Sequence, residues 1–219
     1  MQRALALADA DGPDALTIRR LADQLGVTPM AIYWHFKNKD ELLGALADHV
    51  MSEVRPDREP DAPWDEQLRS MVEALLRVIR QHPSGPAVLF GAEKHMVPGF
   101  QRATDAVLGL LRTAGFTLTE GYQVASYLLH NCIALVEHEP GRMPGMSPEE
   151  VAECLRRDRL TLQALSSAEY PNVVEYASDP HPMTLEQHYT FGVDLMMGGI
   201  RALAATRTPS GHPHVAARR

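Results

Sequence analysis

The sequence predicts an all-α protein, with a small N-terminal domain of three helices followed by a larger helical domain. Two observations indicate this class. Apolar residues recur at spacings of three and four through most of the 219 residues, which is the period of one helix face. Clusters of glycine and proline separate these segments, and no segment shows the convincing period-two alternation that indicates a strand.

Residues 17–43, TIRRLADQLGVTPMAIYWHFKNKDELL, predict two short helices joined by a tight turn, and the start of a third. Gly26 allows the chain to turn, Thr28 is a suitable N-cap for the second helix, and Pro29 fits its first position. Asn38 is the expected cap of the longer helix that follows. The apolar face of the first helix consists of Ile18, Leu21, Ala22 and Leu25. Two helices joined in this way form a helix-turn-helix, whose second helix has the size of the DNA major groove.

The run LTIRRLADQLGVTPMAIYWHFKNKDELLGAL resembles the DNA-binding domain of the TetR family of bacterial transcription regulators, and YWHFKNKDELL is the hallmark of that family. The resemblance is strong over residues 4–54 and fainter beyond them. It implies a homodimer that binds palindromic, double-stranded operator DNA and releases it when a small-molecule inducer enters the C-terminal domain. The family also has a longer, often basic arm before its first helix, so the position of Met1 leads us to expect a truncated chain or a late start codon.

Prolines set the predicted domain boundaries. Residues 55–63, RPDREPDAP, are polar and contain three prolines, so they separate two domains. We expect a helix-turn-helix DNA-binding domain over 1–54, a helical ligand-binding and dimerisation domain over 64–205, and a disordered tail over 206–219. Caps and helix breakers predict helices at about 2–9, 64–81, 87–96, 98–114, 119–139, 148–165 and 184–205.

Composition excludes several classes of protein. No apolar run reaches the ~18 residues that span a membrane, and the first residues do not form a signal peptide. Two cysteines do not make a disulfide framework, so we expect a cytoplasmic protein. The net charge is −7, and residues 1–55 contain six basic and eight acidic side chains. DNA binding would therefore depend on where a few cations lie rather than on net charge.

Sequence motifs for catalysis and metal binding are absent. The chain contains no Gly-rich phosphate loop, no GxSxG, no HExxH and no Cys/His cluster with zinc spacing. We therefore expect neither an enzyme nor a protein with a cofactor or metal. Two regulatory classes stay open: a repressor released by a ligand, and an activator or regulator that acts through protein contacts without a small ligand.

The recognition helix is expected over about 29–34, with Ile32 in the core. Aromatic residues at its end have two possible roles, and we assign Trp34 and Phe36 to packing of the small domain and Tyr33 to DNA. Apolar atoms of Pro29 and Met30 suit contacts with thymine methyl groups. The resemblance implies that Tyr33, His35 and Lys39 contact phosphates. The candidate DNA contacts are Arg19, Thr28, Pro29, Met30, Tyr33, His35, Lys37 and Lys39.

The helices at about 119–139 and 184–205 resemble the dimerisation pair of the family, which forms a four-helix bundle across a twofold axis. Glycine is unfavourable inside a helix, so the glycines at 192, 198 and 199 indicate a packing reason. Packing within one chain is the alternative. The candidate interface residues are Ala125, Leu128, Cys132, Gly192, Leu195, Met196, Gly199 and Leu203.

An inducer pocket needs apolar walls with a few polar groups. His130 and Asn131 lie inside the apolar run YLLHNCIALV, where they either orient a ligand or form a satisfied polar pair in the core or dimer interface. The candidate pocket residues are Met71, Leu75, Phe90, Met96, Phe100, Tyr122, His130, Asn131 and Met143.

One difference from the tetracycline-repressor type limits the class of ligand that this chain can bind. Those repressors hold a magnesium–drug chelate with a His and a Thr, and the corresponding positions here are Leu89 and Ala92. Neither side chain has an oxygen or imidazole donor for a hard cation. We therefore expect an apolar or aromatic ligand, and no induction by magnesium–tetracycline.

Overall fold

The computed structural model describes residues 1–57, 59, 61–143, 145–179 and 183–207. These residues form helices and turns without a strand, which confirms the all-α class. The eleven α-helices found among them, with two single turns of 3₁₀ helix, are α1 Gln2–Asp11, the turn Pro13–Ala15, α2 Ile18–Leu25, α3 Pro29–Tyr33, α4 Lys39–Glu53, α5 Trp64–Gln81, α6 Gly85–Gly91, the turn Lys94–Met96, α7 Pro98–Thr113, α8 Leu118–Glu137, α9 Pro148–Gln163, α10 Pro171–Ser178 and α11 Leu185–Ala205.

The chain divides into two compact units. One contains Met1–Val136 together with the described residues from Val193 onward, and the other contains Glu137–Gly192. In the described part of the chain, no helix is long and apolar enough to span a membrane.

The core of the first unit is built from the apolar faces of its helices. Leu42, Leu46 and Val50 of α4 are spaced by four residues, so they share one face, and all three are fully buried. Leu68 of α5 and Leu111 of α7 are also fully buried. Helix α4 packs against α5, α6 and α7, so the longest N-terminal helix is held directly by the helices that follow it.

An ionic contact fixes the C-terminal end of α11 in the same unit. Arg207 donates to Glu120 Oε1 at 2.7 Å and lies 4.2 Å from the ring centroid of Phe116. Glu120 Oε2 also accepts from the backbone N–H and the hydroxyl of Thr117, at 2.9 and 3.0 Å. The backbone hydrogen bond from Thr117 and then the Arg207 contact lower the pKa of Glu120 to about 2.

Predicted helix caps are confirmed in the second unit. Ser147 and Glu150 form a capping box at the start of α9, with distances of 2.7 and 3.3 Å between side chains and backbone N–H groups. Thr184 and Gln187 form the same arrangement before α11, at 2.9 and 3.2 Å.

The predicted helix at 87–96 is wrong in both its start and its end. Helix α6 begins earlier, with Pro86 in its first turn, and ends at Gly91. Ala92 and Glu93 are extended, and a separate 3₁₀ turn follows them. The break changes the direction of the side chains that come after it.

Helix α10 is missing from the sequence-based assignment. Pro171 occupies its first turn, which is the one local signal that could have indicated it. Helix α10 packs against α9, and Gln163 Nε2 donates to the carbonyl of Ala177 at 2.8 Å. Residues 208–219, which make up most of the predicted tail, lie outside the described residues.

We predict that Glu120→Gln lowers thermal stability at about pH 7 and that the loss shrinks as the pH falls. The pKa of this carboxylate is lower in the folded chain than its ordinary value of 4.5. Its stabilising contribution is therefore fully present above about pH 4.5 and is lost as the pH falls through about 2. Melting curves of both proteins between about pH 7 and pH 3 measure the difference.

The control is Glu66→Gln, which removes an exposed carboxylate from the first turn of α5. It repeats the loss of charge at a helix N-terminus without the contact to an arginine. A loss of stability in Glu120→Gln that is constant across the pH range would contradict the prediction.

Candidate DNA-binding surface and ligand cavity

Local hydrogen bonds shape the helix-turn-helix. Thr17 Oγ1 accepts the N–H of Arg20 at 3.2 Å and caps α2. Gly26 ends that helix with φ of 66°, a left-handed conformation that favours glycine. Thr28 Oγ1 accepts the N–H of Ala31 at 3.3 Å and opens α3. The predicted turn and cap are therefore both present.

Most candidate DNA contacts have exposed side chains. Met30 is 66% exposed and Tyr33 is 48% exposed, whereas Ile32 between them is 7% exposed and belongs to the core, as predicted. Arg19, Thr28, His35 and Lys37 are also exposed, and Pro29 and Lys39 are half-buried. Helix α3 therefore presents one face to solvent and one to the small core.

The packing role predicted for Trp34 is wrong. Its side chain is 84% exposed, the largest exposed apolar surface near α3. Helix α3 ends at Tyr33, and Trp34 stands two residues beyond Ile32, about 200° around the helix axis from this core residue. Phe36 is half-buried and supplies the packing instead. Trp34 is the surface residue that sequence reasoning missed.

Acidic residues of the N-terminal helices are used in internal contacts. Asp9 accepts from the backbone N–H and the hydroxyl of Ser84, at 2.9 and 2.6 Å. Asp11 pairs with an arginine of α2 at 2.5 Å. The Nζ of Lys39 lies 3.5 Å from Asp14 Oδ1, so this cation also has an internal partner. Three acidic side chains of this domain thus have partners within the chain.

A cavity of about 500 Å³ lies in the first unit, between helices α4, α5, α7 and α8. Four of the predicted pocket residues line it, namely Met71, Leu75, Phe100 and Tyr122. The 3₁₀ turn at Lys94–Met96 contributes Lys94 and His95, which the sequence did not indicate as pocket residues. Polar side chains in the wall include Gln101, Thr104, Asp105 and Ser126.

The other five predicted pocket residues do not line this cavity. Phe90 is 62% exposed near the end of α6, and Met96 is 69% exposed in the 3₁₀ turn that follows the break after α6. His130 Nδ1 lies 2.7 Å from the carbonyl of Ser126, and Asn131 Nδ2 donates to the carbonyl of Tyr127 at 2.8 Å. Their polar groups are thus satisfied one turn back on α8. Met143 belongs to the second unit.

The two positions that differ from the tetracycline-repressor type carry no metal donors. Leu89 is fully buried and Ala92 is 6% exposed, and neither lines the cavity. Among the described residues, no group of three or more His, Cys, Asp or Glu side chains is arranged to hold a metal ion.

Helix α4 connects the cavity with the helix-turn-helix. Its first residue is Lys39, capped by Asn38, and Met51 in its last turn lines the cavity. Asp48 Oδ1 accepts the N–H of Gly99, the second residue of α7, at 2.6 Å. A Cβ added at Gly99 would lie 2.5 Å from Met51 Cβ, so the backbone of α7 packs directly against the Met51 side chain of α4 at this point.

The candidate dimer residues fall into two groups. Leu128, Cys132, Gly192 and Met196 are buried within the single chain, as the alternative of intramolecular packing predicts. Burial raises the pKa of the Cys132 thiol to about 12, so it stays neutral. Ala125 lines the cavity. The exposed group consists of Leu195, Gly199 and Leu203.

The exposed residues of α11 leave room for another helix. Leu195 is 66% exposed and Leu203 is 51% exposed. A Cβ added at Gly198 or Gly199 would meet no atom within 4 Å. Packing among the described residues therefore gives no reason for two consecutive glycines in a helix interior, where each costs about 1 kcal/mol relative to alanine.

Comparison with known families decides what kind of protein carries this arrangement. The model of bacterial regulatory proteins of the tetR family matches residues 1–46. The model of the tetracyclin repressor-like C-terminal domain matches residues 55–204, more than half of the chain. The chain belongs to the TetR family. This membership points to a DNA-binding transcription regulator, related to repressors, and to a role other than catalysis.

Individual TetR-family proteins are similar over almost the whole chain. The HTH-type transcriptional repressor DrrR1 of Streptomyces coeruleorubidus is 27% identical, across 97% of this chain and 80% of DrrR1. The tetracycline repressor protein class C of Escherichia coli is 28% identical, across 94% of this chain and 90% of the repressor. The crystal structure of Streptomyces coelicolor ActR in complex with actinorhodin matches with a TM-score of 0.77 at 25% identity, covering 92% of this chain and 94% of ActR.

We predict that Gly99→Ala destabilises this TetR-family protein by about 1–3 kcal/mol, because the new methyl group overlaps Met51 Cβ. The control is Gly109→Ala on the same helix, where a Cβ would meet no atom within 4 Å. This control should be neutral or stabilising, since alanine is the better helix former. Chemical denaturation of both variants measures the difference, and equal stability would mean that α4 and α7 are not closely packed.

Proposed function

We propose that this chain is a homodimeric repressor that binds a palindromic operator and is released from it by an apolar or aromatic small molecule. One observation carries the proposal: helix α4 joins two sites. Lys39 at its start follows the recognition helix, and Met51 at its end lines a cavity of about 500 Å³. A ligand in that cavity would touch the helix that holds the DNA-reading element.

The proposed DNA contacts are the eight predicted residues together with Trp34. The exposed face of α3 supports them, since Met30, Tyr33 and Trp34 leave large side chains in solvent. Arg19 and Lys37 add exposed positive charge on either side of α3. Phosphate contacts by such cations give most of the salt-dependent affinity of a DNA-binding protein.

Dimerisation is proposed through the exposed face of α11. A palindromic operator needs two recognition helices about 34–36 Å apart, and one chain supplies one of them. The leucines at 195 and 203 and the glycines at 198 and 199 support a helix-to-helix contact with a second copy, since small residues let two helix backbones approach closely. The buried residues Leu128 and Met196 would support this face from within the chain.

The ligand is proposed from the wall of the cavity. Met71, Leu75, Phe100 and Tyr122 give it apolar and aromatic surface, and about 500 Å³ lies within the usual range of small-molecule sites. The structure of ActR holds actinorhodin, which supports a ligand of this general kind. Binding of a magnesium–tetracycline chelate is not expected, because neither Leu89 nor Ala92 has a donor for the cation.

Release follows from a shift between two arrangements of the dimer. A ligand that binds better when α7 and α4 are displaced favours that arrangement by its difference in affinity. Because Asp48 and Gly99 tie α4 to α7, a displacement of α7 would move the helix that carries the recognition element. The spacing of the two recognition helices then no longer fits successive major grooves.

The domain division is part of the same proposal. We assign DNA binding to residues 1–54 and ligand binding with dimerisation to residues 64–205. The two family models support this division, since one ends at residue 46 and the other begins at residue 55.

The test begins with selection of DNA duplexes from a random pool by the purified protein at fixed salt. Enrichment of one palindrome with half-sites about one helical turn apart is expected. Small molecules that raise the melting temperature of the protein are then added to the complex, where release is expected. Selection without any enriched sequence would contradict sequence-specific binding. Ligands that stabilise the protein without releasing DNA would favour a regulator that acts through protein contacts.

We predict that Tyr33→Ala and Lys39→Ala each weaken binding of the selected operator about tenfold or more, because every change is present twice in a dimer. Lys39→Ala should also reduce the slope of log affinity against log salt by about 2, one phosphate contact for each subunit. Fluorescence anisotropy with labelled operator at several salt concentrations gives both quantities.

The matched control is Tyr176→Ala, which removes a 75% exposed tyrosine from α10. Operator affinity should be unchanged in this variant. Melting curves show whether each variant is folded, which matters for Lys39 because it also contacts Asp14. Folded variants with the affinity of the original protein would remove these residues from the DNA contact.

We predict that Leu195→Glu converts the dimer to a monomer, since it places two charges in the apolar face proposed between copies. Sedimentation velocity over a range of concentrations measures the mass. Leu25→Glu is the control, because Leu25 is a 45% exposed leucine on α2, in the DNA-binding domain. A Leu195→Glu protein that remains dimeric would place the interface elsewhere.

A further inference from the structure

One cation in the wall of the cavity has no acidic partner. Lys94 is half-buried, and its Nζ donates to the carbonyl of Phe90 at 3.1 Å. The same atom lies 5.7 Å from the centroid of the Phe90 ring. Among the described residues, no carboxylate oxygen lies within 4 Å of it. Burial lowers the pKa of Lys94, which shows that the surroundings disfavour its charge.

The ammonium group of Lys94 can donate to further partners. A protonated lysine has three N–H donors, and the contact to Phe90 uses one of them. A charge held at an apolar cavity without a partner is unfavourable, and an anion brought by a ligand would offset that cost.

The other ionisable groups of the wall are more exposed. His95 and Asp105 both have solvent-accessible side chains, and His95 lies 3.9 Å from Glu93. Water can therefore solvate these groups, whereas Lys94 has lost part of its water. The neutral polar groups nearby are Gln101 and Thr104. This arrangement favours a negatively charged ligand over a positively charged one.

Aromatic and apolar surface lies in the same cavity. Phe100 is 5% exposed, Tyr122 is 58% exposed, and Met71 and Leu75 on α5 add aliphatic surface. A ligand that fits must therefore bury an apolar body as well as offer a charge.

We propose that the cavity binds an amphipathic organic anion, whose aromatic or apolar body lies against Phe100 and Tyr122 and whose acid group pairs with Lys94. This inference rests on the proposed function, because it takes the cavity as the ligand site. It adds the charge of the ligand and the residue that recognises this charge.

The test uses two fluorescent probes that share an aromatic body. The first is 8-anilinonaphthalene-1-sulfonate, an anion, and the second is N-phenyl-1-naphthylamine, which lacks the sulfonate. Both are titrated into the full-length protein without DNA. We expect Lys94→Met to weaken the anionic probe about tenfold and the neutral probe less than twofold. Lys94→Arg should keep most of the affinity for the anion, and Asp105→Asn should not weaken it.

Two controls locate the effect. Arg77→Met removes one positive charge from the exposed surface of α5, outside the cavity wall, and should leave both probes unchanged, which separates a local contact from net charge. Ala103→Trp fills the cavity wall and should weaken both probes, which shows that they bind there. Melting temperatures of all variants confirm that they are folded.

Each outcome has a defined meaning. Equal weakening of both probes in Lys94→Met would make Lys94 a structural contact of α6 and overturn the inference. An anionic probe that is unaffected by Lys94→Met would overturn it as well. If Ala103→Trp affected neither probe, the cavity would not be their site, and the ligand part of the proposed function would fall with this inference. The DNA-binding part of the proposed function is tested separately, by operator binding without a probe, and none of these outcomes bears on it.

Discussion

The close contact between α4 and α7 is the constraint on which the rest of this molecule depends. Asp48 accepts the N–H of Gly99 at 2.6 Å, and no space for a side chain remains between Gly99 and Met51. Close-packed elements of this kind move together or change to a second discrete arrangement, because a packed interface does not deform continuously. Helix α4 is also the N-terminal neighbour of the cavity. Helix α4 is therefore part of the cavity wall and part of the core at once.

The acidic side chains of the N-terminal helices are also used in internal contacts. The protein carries a net charge of −7, and its first 55 residues are acidic as well. Asp9 and Asp48 are engaged with backbone N–H groups of later helices, so these two carboxylates hold the N-terminal helices in place rather than facing solvent. A DNA-binding surface needs a few cations at suitable positions, and a negative total does not prevent it. The cavity wall shows the opposite arrangement, since Lys94 has no carboxylate partner among the described residues, and we propose that a ligand supplies one.

The family models give the family and the similarity to ActR gives the fold, whereas what the cavity can hold depends on the residues in its own wall. Leu89 and Ala92 offer nothing to a metal chelate, while Lys94, Phe100 and Tyr122 offer charge and aromatic surface. Function in such a family depends on the residues of the site rather than on the fold. The exposed leucines and glycines of α11 are a second example, because no packing among the described residues accounts for them.

By itself, the sequence determined the features that depend on near neighbours. The cap at Thr28, the turn at Gly26 and the capping boxes before α9 and α11 all involve partners within four residues, so their spacing is visible in the sequence. The tertiary structure decided which side chains meet across distant helices. Met96 points away from the cavity, and Lys94 and His95 line it, because α6 ends at Gly91 and a separate 3₁₀ turn follows. Phe90 lies on the exposed side of α6. Trp34 is exposed because Ile32, about 200° away around the helix axis, is the residue that packs into the core. A break of one or two residues rotates everything after it, and only the packed chain fixes where such a break falls.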